Sequence, residues 1–206
     1  MIAFLAAALA IAAQAAAPAP APQSTATPAP APTPAPAVVR VKLMTEAGPI
    51  VLALEKERAP VTTANFLRYV DQKRLDGTVF YRAMKLGDNY GLVQFGTRNE
   101  AKRALPPIAH EPTTLTGLSH TSGTISMAMA RPGTAAGDFF IIVGDMPSMD
   151  AKDAEPGFAA FGRVVEGMDV VNRILAMPTS PTEGVGVMKG QMLSPTLRVT
   201  SARRIP

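Results

Sequence analysis

The sequence predicts a mainly β fold, an antiparallel barrel with helices covering its ends. From Val38 onward about eight short segments have strand character, and two have the spacing of amphipathic helices. Strands and helices do not alternate regularly, which argues against a parallel sheet built from βαβ units and favours antiparallel closure. The 206 residues include no cysteine, so an apolar core rather than disulfide bonds must hold the domain together.

The strands are predicted from alternation of apolar with more polar residues. Val39, Val41 and Leu43 alternate with Arg40, Lys42 and Met44 in the first strand. A Gly48-Pro49 turn separates it from a second strand at Ile50–Leu54. Further strands are predicted around 78–84, 91–96, 124–130, 138–143 and 158–165, with a last one through Leu197 and Val199.

Two helices are predicted between these strands. Pro60 suits the first turn of a helix, because it needs no amide partner there, and Phe66 lies on the apolar face of that helix. A second helix is predicted over about 167–176, where Asp169 and Arg173 form an i,i+4 pair.

The first 15 residues have the character of a secretory signal peptide. Residues 2–13 are apolar, and Ala13-Gln14-Ala15 is a small-x-small pattern suited to cleavage near Ala15. We therefore expect a periplasmic or secreted protein with no stable membrane insertion after cleavage. No basic residue follows Met1, and an uncleaved N-terminal membrane anchor is the alternative; a lipoprotein anchor is excluded by the lack of cysteine.

Residues 16–37 consist almost entirely of Ala, Pro, Thr and Ser. Proline at every second position prevents helices and sheet ladders. We predict a disordered linker biased toward polyproline II, followed by one folded domain at 38–206.

Composition excludes several functional classes. The net charge of +4 is mild and no basic stripe is present, so we expect no nucleic-acid partner. The two histidines, His110 and His120, have no metal-ligand spacing, and we expect neither metal nor cofactor. No nucleophile elbow is present, and the glycines at 184, 186 and 190 belong to an ordinary loop.

Five segments in register resemble the signatures of cyclophilins. In that family they are approximately F-H-R, F-M-I-Q-G-G, S-M-A-N-A, Q-F-F-I and H-V-V-F-G-x-V-x-x-G-M. Here they are Phe80-Tyr81-Arg82, Leu92-Val93-Gln94-x-Gly96, Ile125–Ala130, Asp138–Ile141 and Phe158–Met168. The resemblance extends from about Val38 to Ile205. It implies a closed eight-stranded antiparallel barrel capped by two α-helices, and peptidyl-prolyl cis-trans isomerase activity.

The resemblance also implies the site residues. Arg82 matches the arginine that stabilises the twisted X-Pro amide, and Gln94 matches the glutamine that orients it. A planar guanidinium can hold two acceptors at once, which suits this role better than lysine. His120 matches a structural histidine and should be a buried hydrogen-bonding residue. The substrate-binding positions carried over from the family are Leu92, Ala128, Met129, Asp138, Phe140, Met149 and Phe158.

Several residues depart from the family pattern. Tyr81 replaces a histidine, Gly91 stands where a pocket phenylalanine is usual, and Phe95 replaces a glycine. Tyr90 is a candidate for the missing aromatic surface, and a shallower pocket is the alternative. Asp138 brings a negative charge toward Arg82. The interval from Arg82 to Gln94 is longer than usual, so we expect the loop at 84–90 to bulge.

Three functions remain open at this point. The first is an isomerase that acts as a monomer on proline-containing segments of unfolded or partly folded exported proteins. The second is a cyclophilin-fold peptide-binding or chaperone module with weak or no isomerase activity, which the departures at Gly91, Phe95 and 84–90 motivate. The third is an interaction protein whose functional part is the proline-rich segment at 16–37.

Overall fold

The computed structural model describes residues 38–206, so the predicted signal peptide (1–15) and linker (16–37) lie outside the described residues. Within them the chain forms nine strands and three α-helices. In chain order these are β1 (Val38–Thr45), β2 (Gly48–Glu55), α1 (Pro60–Asp71), β3 (Val79–Gly87), β4 (Tyr90–Gly96), α2 (Thr113–Thr116), β5 (Thr124–Met127), β6 (Asp138–Val143), β7 (Ala160–Glu166), α3 (Met168–Ala176), β8 (Thr179–Ser180) and β9 (Met192–Ile205).

Eight of the strands close into an antiparallel barrel. Their order is β1-β2-β7-β5-β6-β4-β3-β9, and β1 pairs again with β9 to close the sheet. The two-residue strand β8 pairs with β9 beside the barrel. The predicted eight-stranded barrel is confirmed, and closure leaves no long unpaired edge.

The helices begin where their sequences predict. Pro60 occupies the first turn of α1, and the exposed Asp169–Arg173 pair of α3 is formed at 2.7 Å. The cap on α1 was not predicted. The buried carboxylate of Glu111 accepts hydrogen bonds from the backbone N–H groups of Val61 and Thr62, at 3.0 and 2.7 Å. It thereby satisfies donors that the helix leaves free and complements the helix dipole.

The barrel core is centred on Phe139 of β6. Its ring packs edge-on against Phe66 of α1 at 4.8 Å and lies within about 6 Å of Tyr69, Phe95 and Phe161. All five side chains are fully buried. Contacts of this kind join one helix to three different strands, so α1 and the barrel share a single core.

Three local predictions need correction. β5 ends at Met127 rather than 130, and β7 begins at Ala160 rather than 158. The interval at 84–90 does not bulge out as a loop, because β3 and β4 extend as paired strands as far as Gly87 and Tyr90, with one irregularity between Lys85 and Gly87. The one-turn helix α2 was not predicted.

Within residues 38–206, none of the helices combines the length and the apolar character needed to cross a bilayer.

Replacing Phe139 by alanine should destabilise the domain by about 3–5 kcal/mol, because a large buried ring is lost and the surrounding side chains cannot fill the cavity. The free energy of unfolding in urea measures this. Leu115→Ala is the control; Leu115 is 73% exposed, and its loss should cost less than about 0.5 kcal/mol. Equal effects of the two substitutions would show that Phe139 is not central to the core.

Candidate functional site

The strands β4 and β6 present alternate side chains to the barrel core and to an outer cavity. Phe95 and Phe139 point into the core, whereas Leu92, Gln94 and Phe140 line the cavity. Successive side chains of a strand lie on opposite faces of the sheet. The same two strands therefore support both the core and the outer site.

The cavity has a volume of about 810 Å³. All of the site residues expected from the family resemblance line it: Arg82, Gln94, Leu92, Ala128, Met129, Asp138, Phe140, Met149 and Phe158. Their positions in the chain span 77 residues, and the barrel brings them to one place.

An apolar cluster separate from the barrel core forms the floor of the cavity. Its buried members are Leu92, Phe140, Ile142 and Met146, and Met84, Ala128, Met149 and Phe158 pack against them. The rings of Phe140 and Phe158 are perpendicular, with centroids 5.4 Å apart. The floor is therefore a concave apolar surface bounded by the rings of Phe140 and Phe158, and a flat apolar ring can pack on it.

Neither Gly91 nor Tyr90 contributes to this floor. Gly91 has φ +151°, and a Cβ atom there would lie 1.9 Å from the carbonyl oxygen of Met84. A side chain at this position is therefore excluded by the partner strand, whatever its type. The ring of Tyr90 lies instead against Gly144. The expectation that Tyr90 replaces the missing aromatic surface is wrong, and Met84 lines the cavity there.

The replacement of a glycine by Phe95 causes no backbone strain. The positive φ in this segment belongs to Gly96, at +139°, where a Cβ atom would approach the Gly137 carbonyl oxygen to 2.2 Å. Phe95 is fully buried and packs against Phe80 with ring centroids 4.7 Å apart. This departure therefore strengthens the core rather than altering the cavity.

A β-bulge sets the direction of Arg82. The register between β3 and β4 shifts between Phe80 and Arg82, leaving Tyr81 as the extra residue. Tyr81 and Arg82 both line the cavity although they are neighbours in the chain. Bulges of this kind redirect side chains that regular alternation would separate.

The guanidinium of Arg82 is held by two amide oxygens. Nη1 donates to Oε1 of Gln94 and Nε donates to Oε1 of Gln191, each at 2.9 Å. Nη2 faces the sulfur of Met84 at 3.7 Å, which is a weak acceptor. Burial lowers the pKa of Arg82, yet an arginine remains cationic at neutral pH.

Gln191 is a site residue that sequence reasoning missed. It lies 109 positions from Arg82, in the loop between β8 and β9, and its amide also donates to the carbonyl oxygen of Val187 at 2.8 Å. Its backbone carbonyl accepts from the N–H of Ala83 at 2.9 Å. No local pattern marks a glutamine in a long loop as the partner of a distant arginine.

A second hydrogen-bonded chain runs from Gln94 to Asp138. Gln94 Nε2 donates to the Tyr81 hydroxyl at 2.6 Å, and that hydroxyl donates to Oδ1 of Asp138 at 3.1 Å. Burial and the nearby Asp138 charge raise the pKa of Tyr81, and burial raises the pKa of Asp138. Asp138 forms no ion pair with Arg82 within the described residues; it accepts the backbone N–H of Arg98 at 2.8 Å instead.

One edge of the cavity is formed by backbone that has left the sheet. After Met127 the chain continues as Ala128–Ala130 without strand pairing. The N–H of Ala128 donates to the carbonyl of Asp138 at 2.9 Å, whereas the backbone groups of Met129 have no hydrogen-bond partner within residues 38–206. This edge can therefore pair with an extended peptide.

His120 lies behind the cavity floor, where it is fully buried and hydrogen-bonded as predicted. Nδ1 contacts Oδ1 of Asp150 at 2.6 Å, Nε2 contacts Oγ of Ser126 at 2.9 Å, and the ring stacks near Phe140 at 6.1 Å. Ser126, His120 and Asp150 are hydrogen-bonded in the order nucleophile, base and acid of a catalytic triad. Ser126 is fully buried and does not line the cavity, so its hydroxyl cannot reach a substrate.

The charges of this group follow from its surroundings. Burial lowers the pKa of His120, outweighing the opposite effect of Asp150. Burial alone would raise the pKa of Asp150, but hydrogen bonds from Ser119 and His120 lower it overall. His120 is therefore neutral at pH 7. Its Nδ1–H donates to the Asp150 carboxylate, and its Nε2 accepts a hydrogen bond from the Ser126 hydroxyl.

Metal-dependent chemistry has no support in the described part of the chain. Among residues 38–206 no group of three or more His, Cys, Asp or Glu side chains is placed to hold a metal ion. The cavity combines a fixed cation, an apolar floor and an open backbone edge, an arrangement suited to binding a peptide rather than to cleaving one.

Known proteins with similar sequences agree on one family. A family model described as "Cyclophilin type peptidyl-prolyl cis-trans isomerase/CLD" matches residues 40–196. A peptidyl-prolyl cis-trans isomerase of Acinetobacter baylyi is 36% identical over 68% of this chain and 73% of its own. Peptidyl-prolyl cis-trans isomerase B of Escherichia coli is 32% identical over 68% of this chain and 85% of its own.

Solved structures agree on the fold. A cyclophilin-type peptidyl-prolyl cis-trans isomerase of Cryptosporidium parvum, crystallised in the presence of the dipeptide Ala-Pro, is similar with a TM-score of 0.66. The match covers 81% of this chain and 99% of that one, at 19% sequence identity.

Acidification should destabilise the domain through His120. Its pKa is lowered in the folded state, so below about pH 6.5 the unfolded chain takes up a proton that the folded domain does not. Stability is therefore complete above about pH 6.5 and falls as the pH drops toward the folded-state pKa, by at most about 1.4 kcal/mol per pH unit.

Urea unfolding at pH 7.5 and 5.5 measures this effect. The loss between the two pH values should be smaller in His120→Gln than in the wild type. An NMR titration of the His120 ring protons provides a second measurement in the intact protein. A ring that titrates near pH 6.5 would contradict the prediction.

Proposed function

Because this chain belongs to the family of cyclophilin-type peptidyl-prolyl cis-trans isomerases, we propose that Arg82 carries its isomerase activity by stabilising the twisted X-Pro amide. The observation that carries this proposal is the position of Arg82 beside the apolar floor, with its charge not neutralised by any carboxylate within the described residues. The chain is a peptidyl-prolyl cis-trans isomerase; the mechanism and the substrates are what we propose.

Prolyl isomerisation makes and breaks no covalent bond, so the enzyme has only to stabilise the charge that develops in the twisted amide. Amide resonance gives the peptide bond a rotational barrier of about 18–20 kcal/mol, and an X-Pro bond crosses it in tens to hundreds of seconds. Twisting the bond localises a lone pair on the prolyl nitrogen. A fixed guanidinium that donates to this nitrogen and to the prolyl carbonyl binds the twisted state more tightly than the planar one, which accelerates rotation.

Gln94 and Gln191 prepare Arg82 for this role. They hold Nη1 and Nε at 2.9 Å, so the cation does not have to reorganise as the substrate twists. Their amide oxygens are neutral, and the positive charge therefore remains available to the substrate. The partly buried setting strengthens its effect, since solvent screens it less.

The substrate is a proline-containing peptide segment, of which the Ala-Pro dipeptide named for the similar solved structure is the smallest example. The proline ring would lie on the floor formed by Leu92, Phe140, Met149 and Phe158. The residue before proline would pair with the free backbone groups of Met129, beside Ala128. We propose that the enzyme acts as a monomer, since this arrangement uses one chain only.

We further propose that the protein is exported and assists the folding of exported proteins in the periplasm or outside the cell. The apolar segment at 2–13 and the Ala13-Gln14-Ala15 pattern support this. Expression of the full chain in a bacterium, followed by N-terminal sequencing of the periplasmic fraction, tests it. Product beginning near Ala16 supports a cleaved signal, whereas product retained in the membrane fraction with Met1 intact would show an anchor.

Arg82→Ala should lower kcat/KM for prolyl isomerisation about 10²–10³-fold, as expected when a transition-state donor is lost. NMR exchange spectroscopy of a short Ala-Pro peptide measures the rate directly. Arg163→Ala is the control, because Arg163 is an exposed arginine on β7 that does not line the cavity. If wild type and Arg82→Ala bind the peptide and give equal exchange rates, the domain is a peptide-binding module and the mechanism is wrong.

Gln191→Leu should lower kcat about tenfold with less than about a twofold change in KM, since a hydrogen bond to a charged group is lost while the floor is intact. Gln191→Glu retains an acceptor for Nε but partly neutralises the guanidinium, so it should keep the Arg82 Nε–H group protected without recovering the rate. The NMR signal of the Arg82 Nε–H group should lose its protection from solvent exchange in Gln191→Leu only. A change in KM alone would assign Gln191 to substrate binding instead.

A further inference from the structure

The loop between β8 and β9 presents apolar side chains at the Arg82 end of the cavity. We call residues 181–191 the 181–191 loop. It includes a 3₁₀ turn at Gly186–Met188. Val187 and Met188 line the cavity, as does Met192 at the start of β9. Val187 is 86% exposed and Val185 is 83% exposed, more than any other large apolar side chain within residues 38–206.

The 181–191 loop is held in place despite this exposure. Gly190 N–H donates to the carbonyl of Glu183 at 2.9 Å and closes the loop at its base. The Gln191 side chain then joins the Val187 carbonyl to Nε of Arg82, with contacts of 2.8 and 2.9 Å. The backbone of Val187 is therefore linked to the guanidinium through the Gln191 side chain, which keeps this residue at the cavity.

We infer that the 181–191 loop, through Val187 and Met188 and together with Met192 of β9, selects an apolar residue immediately after proline. This rests on the proposed function, which places the residue before proline at the Met129 edge, the proline ring on the floor and Arg82 at the prolyl nitrogen and carbonyl. A peptide that runs in this direction continues past Arg82, and the next side chains it meets are those of the loop. An apolar side chain there would cover surface that is otherwise exposed to water.

The chemistry of this end of the cavity favours an apolar rather than a charged residue. The loop residues that line the cavity are Val187 and Met188, with Met192 of β9 beside them, and methionine side chains adapt to apolar partners of different shape. The charged group bonded to this loop is Arg82, through Gln191, and it is already committed to the amide oxygens and the prolyl group. A cationic residue after proline would also be repelled by this guanidinium.

Two peptides that differ only after proline test the inference: Ala-Ala-Pro-Leu-Ala and Ala-Ala-Pro-Ser-Ala, with blocked ends. NMR exchange spectroscopy gives kcat/KM for each. The wild type should favour the leucine peptide about fourfold or more, the factor that corresponds to burying one methylene group. Val187→Ser should reduce this preference to less than about twofold.

Val185→Ser provides a matched control. Val185 is in the same loop and nearly as exposed as Val187, but it does not line the cavity. It should retain the wild-type preference, and because both valines are exposed neither substitution should impair folding.

The outcomes separate the inference from the proposed function. Equal wild-type rates for the two peptides, or equal loss of preference in Val185→Ser and Val187→Ser, would overturn the selection of the following residue and leave the proposed function intact. A Val187→Ser protein that slows both peptides by the same factor would likewise overturn it. If the wild type accelerates neither peptide, the proposed function fails and the inference fails with it.

Discussion

The structure depends on the alternation of side chains along β4 and β6, which support two apolar layers at once. Phe139 fills the barrel core, whereas Phe140, the next residue, forms the floor of the outer cavity. A shift of register by one residue would exchange the two faces and destroy both layers. The shape of the cavity is therefore fixed by core packing, and the floor needs no separate stabilisation of its own.

Arg82 illustrates how this framework supports a charge. The β-bulge at Tyr81 directs it to the cavity, and two glutamines hold it without neutralising it. A carboxylate partner would have bound the guanidinium more strongly and reduced its effect on a substrate. Asp138 is kept apart by Tyr81, with which it is hydrogen-bonded, so the negative charge orients the network from a distance.

The strands, the two long helices and the cavity residues were predictable from the sequence because they depend on local patterns or on a family match. Phe140 and Arg82 belong to short segments whose spacing is retained. Gln191 and Glu111 were not predictable, since each acts on an element far away in the chain and nothing adjacent to either marks its partner. The requirement for glycine at 91 was also hidden, because it comes from a carbonyl of the neighbouring strand.

Methionine side chains surround the Arg82 end of the cavity. Met84 of β3, Met188 of the 181–191 loop and Met192 of β9 all line the cavity there. Methionine is flexible and polarizable, so it can pack against side chains of different shapes. An aromatic ring in that place would have imposed one shape. In the proposed function the floor receives the proline ring, while the flexible methionines near Arg82 can adapt to apolar side chains of different shape after proline.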